Sequence, residues 1–254
     1  NHGGITGLFS NQNYTGLWLT AIIPLIISEF KTNKSYKIFS GILILLSIYF
    51  TFLTTSKNAF FGLIIIIAFL FNFRNKKFLF ASGILGISSI LITIFSKINF
   101  ISLEIYSKIF PFTMFYKIID FNFLSSSRFE IYKKSIMLIS QRPLTGWGKS
   151  LFSDQYIAAG GTFKIEHTHS MPLEIAFNYG IPIAITLILF ILLIMYKSWK
   201  VNNKYCLNSE ENLYNKCWFV STLLITVSHI NDITYYDGKI SILIWILLSG
   251  LKSV

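Results

Sequence analysis

Along this chain the apolar residues gather in long blocks, separated by short stretches of polar and basic residues. The blocks run over Gly16–Phe30, Tyr36–Leu53, Asn58–Phe73, Phe78–Phe95, Ile181–Tyr196, Leu213–Ile230 and Lys239–Leu251, with Pro172–Tyr179 as a backward extension of the fifth. A helix that crosses a bilayer needs about 20 mostly apolar residues. Several blocks approach that length. The pattern predicts an all-α, polytopic transmembrane protein with about seven spans in this chain.

The basic residues give the spans a direction. Lys and Arg prefer cytoplasmic loops. Lys31, Lys34 and Lys37 follow the first block; Arg74, Lys76 and Lys77 the third; Lys197, Lys200 and Lys204 the fifth; Lys252 the seventh. The alternate loops carry Lys57 or Lys239 alone. This alternation puts the N-terminus outside and the C-terminus inside. It also places Ser96–Ser170 outside as one large loop. That loop is rich in Phe, Ile and Tyr, a composition of packed structure rather than disorder. Three parts result: residues 1–95 with four spans, 96–170 as the loop bearing the candidate chemistry, and 171–254 with three spans.

Inside the loop the pattern changes period. Ser127-Arg128-Phe129-Glu130 has capping-box spacing, and apolar residues recur at Phe129, Tyr132, Ile136 and Ile139. This is a helical stripe that Pro143 discourages beyond Gln141, so an amphipathic helix is predicted. Gln141-Arg142-Pro143-Leu144-Thr145-Gly146-Trp147-Gly148 then reads as a turn, with Trp147 suited to a membrane interface.

Composition sharpens the class. The 254 residues are 53% hydrophobic and 13% charged, where soluble domains run nearer a quarter charged. Mean hydropathy is +0.60. The net charge of +11 does not indicate nucleic acid, because many of the basic residues sit in the short loops where topology accounts for them. Cys206 and Cys217 flank a basic loop placed in the cytoplasm and read as reduced thiols. The chain begins at Asn1 without Met or a signal peptide, which is expected of the C-terminal part of a longer protein.

The candidate chemistry lies at span ends and in the outside loop. Arg128, in the first turn of the amphipathic helix, reads either as an exposed surface arginine or as an anion ligand. Helix first-turn N–H groups and the guanidinium fork both suit phosphate. Arg142 reads as a turn residue, an interfacial anchor or a substrate-binding cation. Glu166, His167 and His169 could begin a zinc site, but no adjacent third and fourth ligand completes it. His169 can instead be a structural histidine or a general base. Lys57, in the tight turn Thr54–Asn58, is either a snorkelling lysine or a second cation for a lipid-linked phosphate. His229, Asp232 and Asp237 cluster in the last outside loop as site lining.

Four of these stretches together resemble the O-antigen ligase superfamily, which includes O-antigen polymerases and protein O-oligosaccharyltransferases. Gly7-Leu8-Phe9-Ser10-Asn11-Gln12-Asn13-Tyr14-Thr15-Gly16 is similar to the family's G-L-F-x-N-P-N-x-x-G, with Gln12 for Pro. Leu53-Thr54-Thr55-Ser56-Lys57-Asn58-Ala59 is similar to L-T-x-S-R-G-A, with Lys57 for Arg. Arg128 through Gly148 resembles R-x3-W-x-x-A followed by P-x-x-G-x-G, with Tyr132 for Trp. His169-Ser170, nine residues and Gly180 resemble a His-Asn/Ser/Gln signature whose last position, normally Gly, Thr or Tyr, is Ile183 here.

The resemblance implies about twelve spans in the whole protein. It also implies metal-independent, cofactor-free transfer of a glycan from undecaprenyl diphosphate to an acceptor hydroxyl, with inversion. The expected setting is the periplasmic face of a bacterial inner membrane. His169 and Arg128 match the family's catalytic histidine and arginine. Lys57, Arg142 and His167 are the expected substrate-binding residues. The implied partners are the lipid-linked glycan donor, a lipid A–core or glycan acceptor, and membrane lipids, without nucleic acid. Ligation to lipid A–core and polymerisation of repeat units share this donor. A transporter or flippase of lipid-linked sugars is the reading from a different class, and its charged sites belong at mid-membrane rather than at span ends.

Overall fold

The computed structural model describes residues 4–70, 127–204 and 210–251. All regular elements among them are helices. The chain divides into two compact units, Asn1–Phe121 and Asn122–Val254.

In the first unit, α1 (Gln12–Thr32), α2 (Lys37–Leu53) and α3 (Lys57–Leu70) pack together. Asn11 caps α1 by accepting from the Asn13 N–H at 2.8 Å. Gln12 takes the first helical position, which suits proline because its N–H would be unsatisfied there. The glutamine uses its side chain instead, accepting from the Gly4 N–H at 2.5 Å and from Thr55 Oγ1 at 3.5 Å. Gly16 lets α1 approach the α2–α3 turn, since a Cβ there would lie 2.6 Å from Ala59 Cβ and 2.9 Å from Thr54 Oγ1. The stretches 7–16 and 53–59 are therefore neighbours in space.

The second unit contains α4 (Ser127–Gln141), α5 (Phe152–Ala158), α6 (Met171–Tyr179), α7 (Ile181–Lys204), α8 (Glu210–Asn231), a 3-10 turn (Thr234–Tyr236) and α9 (Gly238–Ser249). Its core includes Ile131, Leu138, Phe152, Tyr156, Ile175 and Phe177, with Phe152 and Phe177 meeting edge to face at 5.1 Å. The turn after α4 is stitched to the end of α6. Trp147 N–H donates to Phe177 O at 2.7 Å, Gly148 N–H to Asn178 O at 3.1 Å, and Ile181 N–H to Pro143 O at 2.7 Å. Both glycines of this joint are obligatory. Gly180 has φ +90° and Gly146 φ +68°; a Cβ on Gly180 would lie 2.2 Å from Leu144 O, and one on Gly146 2.6 Å from Phe177 O.

Within the described residues the apolar blocks map onto helices, with two corrections. The block Phe78–Phe95 lies outside the described residues, as do Cys206 and the stretch of the expected loop up to residue 126. Pro172–Tyr179 does not extend the fifth block, because the chain breaks at Gly180 and α6 is a separate helix. The stripe on α4 is also displaced. Ile131, Ser135, Leu138 and Ile139 are buried, whereas Phe129 and Ile136 are exposed. The reason is Ser135, which donates to Ile131 O at 2.7 Å and so satisfies its hydroxyl inside the core. Read as polar, it hid the buried face.

Among the described residues, one helix is long and apolar enough to cross a membrane, over Ile181–Asn202 in α7. Only 17% of that window is buried inside the molecule, unlike the core helix of a water-soluble protein. Lys37–Leu53, Lys57–Ala68 and Gly238–Ser249 are shorter apolar helices. Cys217 is buried within α8.

Candidate active site

His169 sits in the loop before α6 and faces Asp232, just beyond α8, while Arg128 at the start of α4 is bonded to the residue before Asp232. His169 has φ +54°, an uncommon backbone state for a residue with a side chain. Local hydrogen bonds hold it there. Tyr132 OH donates to His169 O at 3.2 Å. On one side of it, the Thr168 N–H donates to Glu174 Oε2 at 3.0 Å, and Thr168 Oγ1 donates to Ser170 O at 2.9 Å. Backbone strain over-determined by its surroundings is a recurring feature of functional sites.

The imidazole meets a carboxylate. His169 Nδ1 lies 3.8 Å from Asp232 Oδ1, with the two side chains 28% and 6% exposed. This is ion-pair range, wider than a hydrogen bond. Asp232 Oδ1 also accepts from the Ile233 N–H at 2.9 Å. Burial pushes the Asp232 carboxyl up, but the His169 imidazole, the Ile233 N–H and the Arg128 guanidinium outweigh it. Together they hold the carboxyl below its usual range. An ionised carboxylate facing Nδ1 favours the proton on that nitrogen, which leaves Nε2 as the basic one.

Arg128 stands beside this pair. Its Nη1 donates to Asn231 O at 3.0 Å, which ties the start of α4 to the residue before Asp232. Tyr132, one turn along α4, has its phenol pushed up by burial, with Arg128 opposing and Asp232 adding to the shift. It therefore stays protonated and serves as a donor. His167 lies next to His169, with ring centroids 5.0 Å apart, and 6.1 Å from Tyr236. Burial holds the His167 pKa below the ordinary histidine value, helped by the nearby His169 and opposed by Glu174, Asp232 and Glu166. Among the described residues, no group of three or more His, Cys, Asp or Glu side chains is arranged to hold a metal ion.

The other expected site residues have the following settings. Arg142 stacks on Trp147, 4.3 Å from the ring centroid, while Trp147 Nε1 donates to Leu138 O at 2.7 Å. Lys57 belongs to the first unit, where it opens α3 and is half-buried. Of the last-loop residues, Asp237 caps α9 through the Lys239 and Ile240 N–H groups, and His229 lines an apolar groove. That groove, of about 910 Å3, runs between α6, α7, α8 and α9; its wall includes Met171, Ile183, Ile191, Trp199, Tyr236 and Trp245.

Sequence reasoning ranked Asp232 no higher than its two neighbours. The signal available was a carboxylate in the short turn between two apolar helices, and the same turn carries Asp237. Only the fold distinguishes it from Asp237, which is a helix cap. Glu174, buried at 3% exposure, was missed altogether.

Fold and site first define a class: among the described residues, all-helical, with one outward-facing helix of spanning length and a histidine–carboxylate pair next to an arginine. That layout suits deprotonation of a hydroxyl beside an anionic group. The family follows from comparison. Residues 42–188 match the model of the O-antigen ligase family, a span that includes Lys57, Arg128, Arg142, His167 and His169, and the chain belongs to this family. No curated protein matches it. Membership makes it a membrane glycosyltransferase of the O-antigen ligase and polymerase type, working with lipid-linked glycan donors and glycan or lipid acceptors.

Proposed function

We propose that the chain transfers a glycan from an undecaprenyl-diphosphate carrier to an acceptor hydroxyl, and that the reaction is O-antigen ligation to lipid A–core. The observation that carries this reading is the approach of His169, Asp232 and Arg128. His169 Nε2 takes the acceptor proton. The acceptor oxygen attacks the anomeric carbon, and the bond from that carbon to the diphosphate oxygen breaks with its electron pair leaving on the carrier. Displacement from the opposite face inverts the centre. Arg128 stabilises the charge gathering on the diphosphate, with Lys57 as a second cation. Arg142 and His167 bind substrate. The step needs no metal or cofactor, so a chelator should leave the rate unchanged.

The apolar groove supports a lipid-linked substrate, because Met171 and Tyr236 in its wall adjoin the His169 loop and the turn after Asp232. We place the site on the periplasmic side of a bacterial inner membrane. In this arrangement seven spans run through residues 1–95 and 171–254, and residues 96–170 form the outside loop. Polymerisation of repeat units is the second reading. It is favoured by Lys57 and Ile183, which depart from the ligase pattern. The test is transfer in vitro with the full-length protein, a defined undecaprenyl-diphosphate-linked oligosaccharide, and lipid A–core or free repeat-unit glycan as separate acceptors. Label appearing only on the glycan would replace ligation by polymerisation, and label on neither would sink both.

A further inference from the structure

Glu174 is a buried carboxylate on α6 that the proposed reaction does not use. Its oxygens accept three hydrogen bonds: Oε2 from the Thr168 N–H at 3.0 Å, and Oε1 from Asn178 Nδ2 at 3.3 Å and Tyr236 OH at 2.8 Å. Two of these donors are significant for where they sit. Thr168 immediately precedes His169. Tyr236 closes the 3-10 turn that follows Asp232. One side chain therefore grips both segments that carry the His169–Asp232 pair.

We propose that Glu174 is a positioning residue for glycan transfer, bridging the backbone beside His169 to the turn after Asp232 and so setting the separation of that pair. The inference rests on the transfer reading above. Its physical basis is the fixed reach of a carboxylate. The Thr168 N–H and the Tyr236 hydroxyl must each stay within hydrogen-bond distance of atoms on one rigid group, so the two segments cannot drift independently. Asn178 holds the carboxylate from the same helix, one turn on. With Glu174 removed, the buried Thr168 N–H loses its acceptor, and the uncommon φ of His169 loses one of its restraints.

Glutamine separates hydrogen bonding from charge. Its carbonyl can accept from Thr168. Its amide can donate to the Tyr236 oxygen and, after a flip of the Asn178 amide, to Asn178 Oδ1, an atom without a hydrogen-bond partner among the described residues. Glu174→Gln should therefore keep the bridge, and Glu174→Ala should lose it.

The experiment uses the full-length protein in lipid nanodiscs and reads two quantities. The first is the rate at which diethyl pyrocarbonate modifies His169 at neutral pH, followed by peptide mass spectrometry. The second is transfer from an undecaprenyl-diphosphate-linked oligosaccharide. Asp232→Asn calibrates the first by showing how His169 reactivity moves when its carboxylate is neutralised. Glu174→Ala should move it the same way and to the same extent, with little further change in the double variant. Transfer should fall by roughly 10²-fold, the order expected from a misplacement of about 1 Å, mostly in kcat. Glu174→Gln should stay near wild type. Tyr236→Phe, which removes a single bond, should shift the reactivity in the same direction by less, and it serves if Glu174→Ala does not fold. Unchanged His169 reactivity in Glu174→Ala and Tyr236→Phe, additivity with Asp232→Asn, or a glutamine variant as impaired as alanine would each overturn the inference. If the reactivity pattern holds while wild type transfers no glycan, the bridge stands and the reading of the reaction fails.

Discussion

His169 Nδ1 and Asp232 Oδ1 face each other across 3.8 Å, although one residue precedes α6 and the other follows α8. The carboxylate lies on the Nδ1 side of the ring, so in the proposed reaction Nε2 is the nitrogen that meets the acceptor. Catalytic contacts that are long in the free enzyme commonly tighten in the substrate complex. His169→Ala should lower turnover by roughly 10²–10⁴-fold, the usual worth of a positioned general base. Asp232→Asn should lower it less, because Nε2 survives. His167→Ala, with the same chemistry at the neighbouring position, should be much milder. Initial rates at saturating donor check the order, and an inactive His167→Ala beside an active His169→Ala would reverse the assignment.

Arg128 donates one N–H to the Asn231 carbonyl, and in the proposed reaction the rest of its fork holds the diphosphate. A lysine has one ammonium and cannot reproduce that fork. Arg128→Lys should therefore resemble Arg128→Ala, with both losing donor affinity and turnover together. Wild-type kinetics in the lysine variant would show that only the charge matters.

Lys57 presents the opposite case, since a lysine already serves at that position. Lys57→Arg should retain transfer and Lys57→Ala should lose most of it. Full transfer by the alanine variant at normal expression would leave Lys57 as a helix-end residue alone.

Acidification should weaken the fold in two stages. Burial holds the folded His167 below its ordinary 6.5, so between the folded value and 6.5 the unfolded chain binds more protons. Stability is then lost as pH falls through that window. The folded Asp232 carboxyl lies below its ordinary 3.8. Its contribution is present above 3.8 and is lost as pH falls through the folded value. Thermal melting against pH should show the first decline, and His167→Gln should flatten it. An unchanged slope in that variant would assign the decline to other groups.

Gly180 combines φ +90° with ψ 162°, a region that is essentially glycine-only and costs about 1–3 kcal/mol for other residues. The Leu144 carbonyl also stands where a Cβ would go. Gly180→Ala should lower the melting temperature by at least the backbone cost, whereas Gly238→Ala, with open space around it, should not. Equal melting of the two variants would contradict the close packing of the turn.

The helical class and the place of most helices were legible in the block pattern, because a run such as Ile181–Tyr196 leaves few other solutions. The α4 face was not. Ser135 satisfies its own hydroxyl, and a polarity pattern cannot register that. The motifs that hold His169 and Arg128 were legible through resemblance, since each is contiguous. Asp232 and Glu174 were not, because their meaning lies in what they touch. Asp232 also falls beyond the matched residues 42–188. Arg142 was read as a substrate cation without its stacking on Trp147, a contact that the turn geometry creates.

The seam between the Pro143–Gly148 turn and the end of α6 also bears on how such enzymes can be recombined. Trp147, Gly148 and Ile181 make backbone hydrogen bonds across it, and Gly146 and Gly180, lacking a Cβ, each leave room that the other segment fills. The two stretches behave as one cassette whose halves were fitted to each other. A graft that imports the His169 segment from a relative while keeping the host's own turn would join surfaces shaped for different partners. A graft of residues 142–181 as a block carries its matching half along, together with α5, whose Phe152 and Tyr156 belong to the same core.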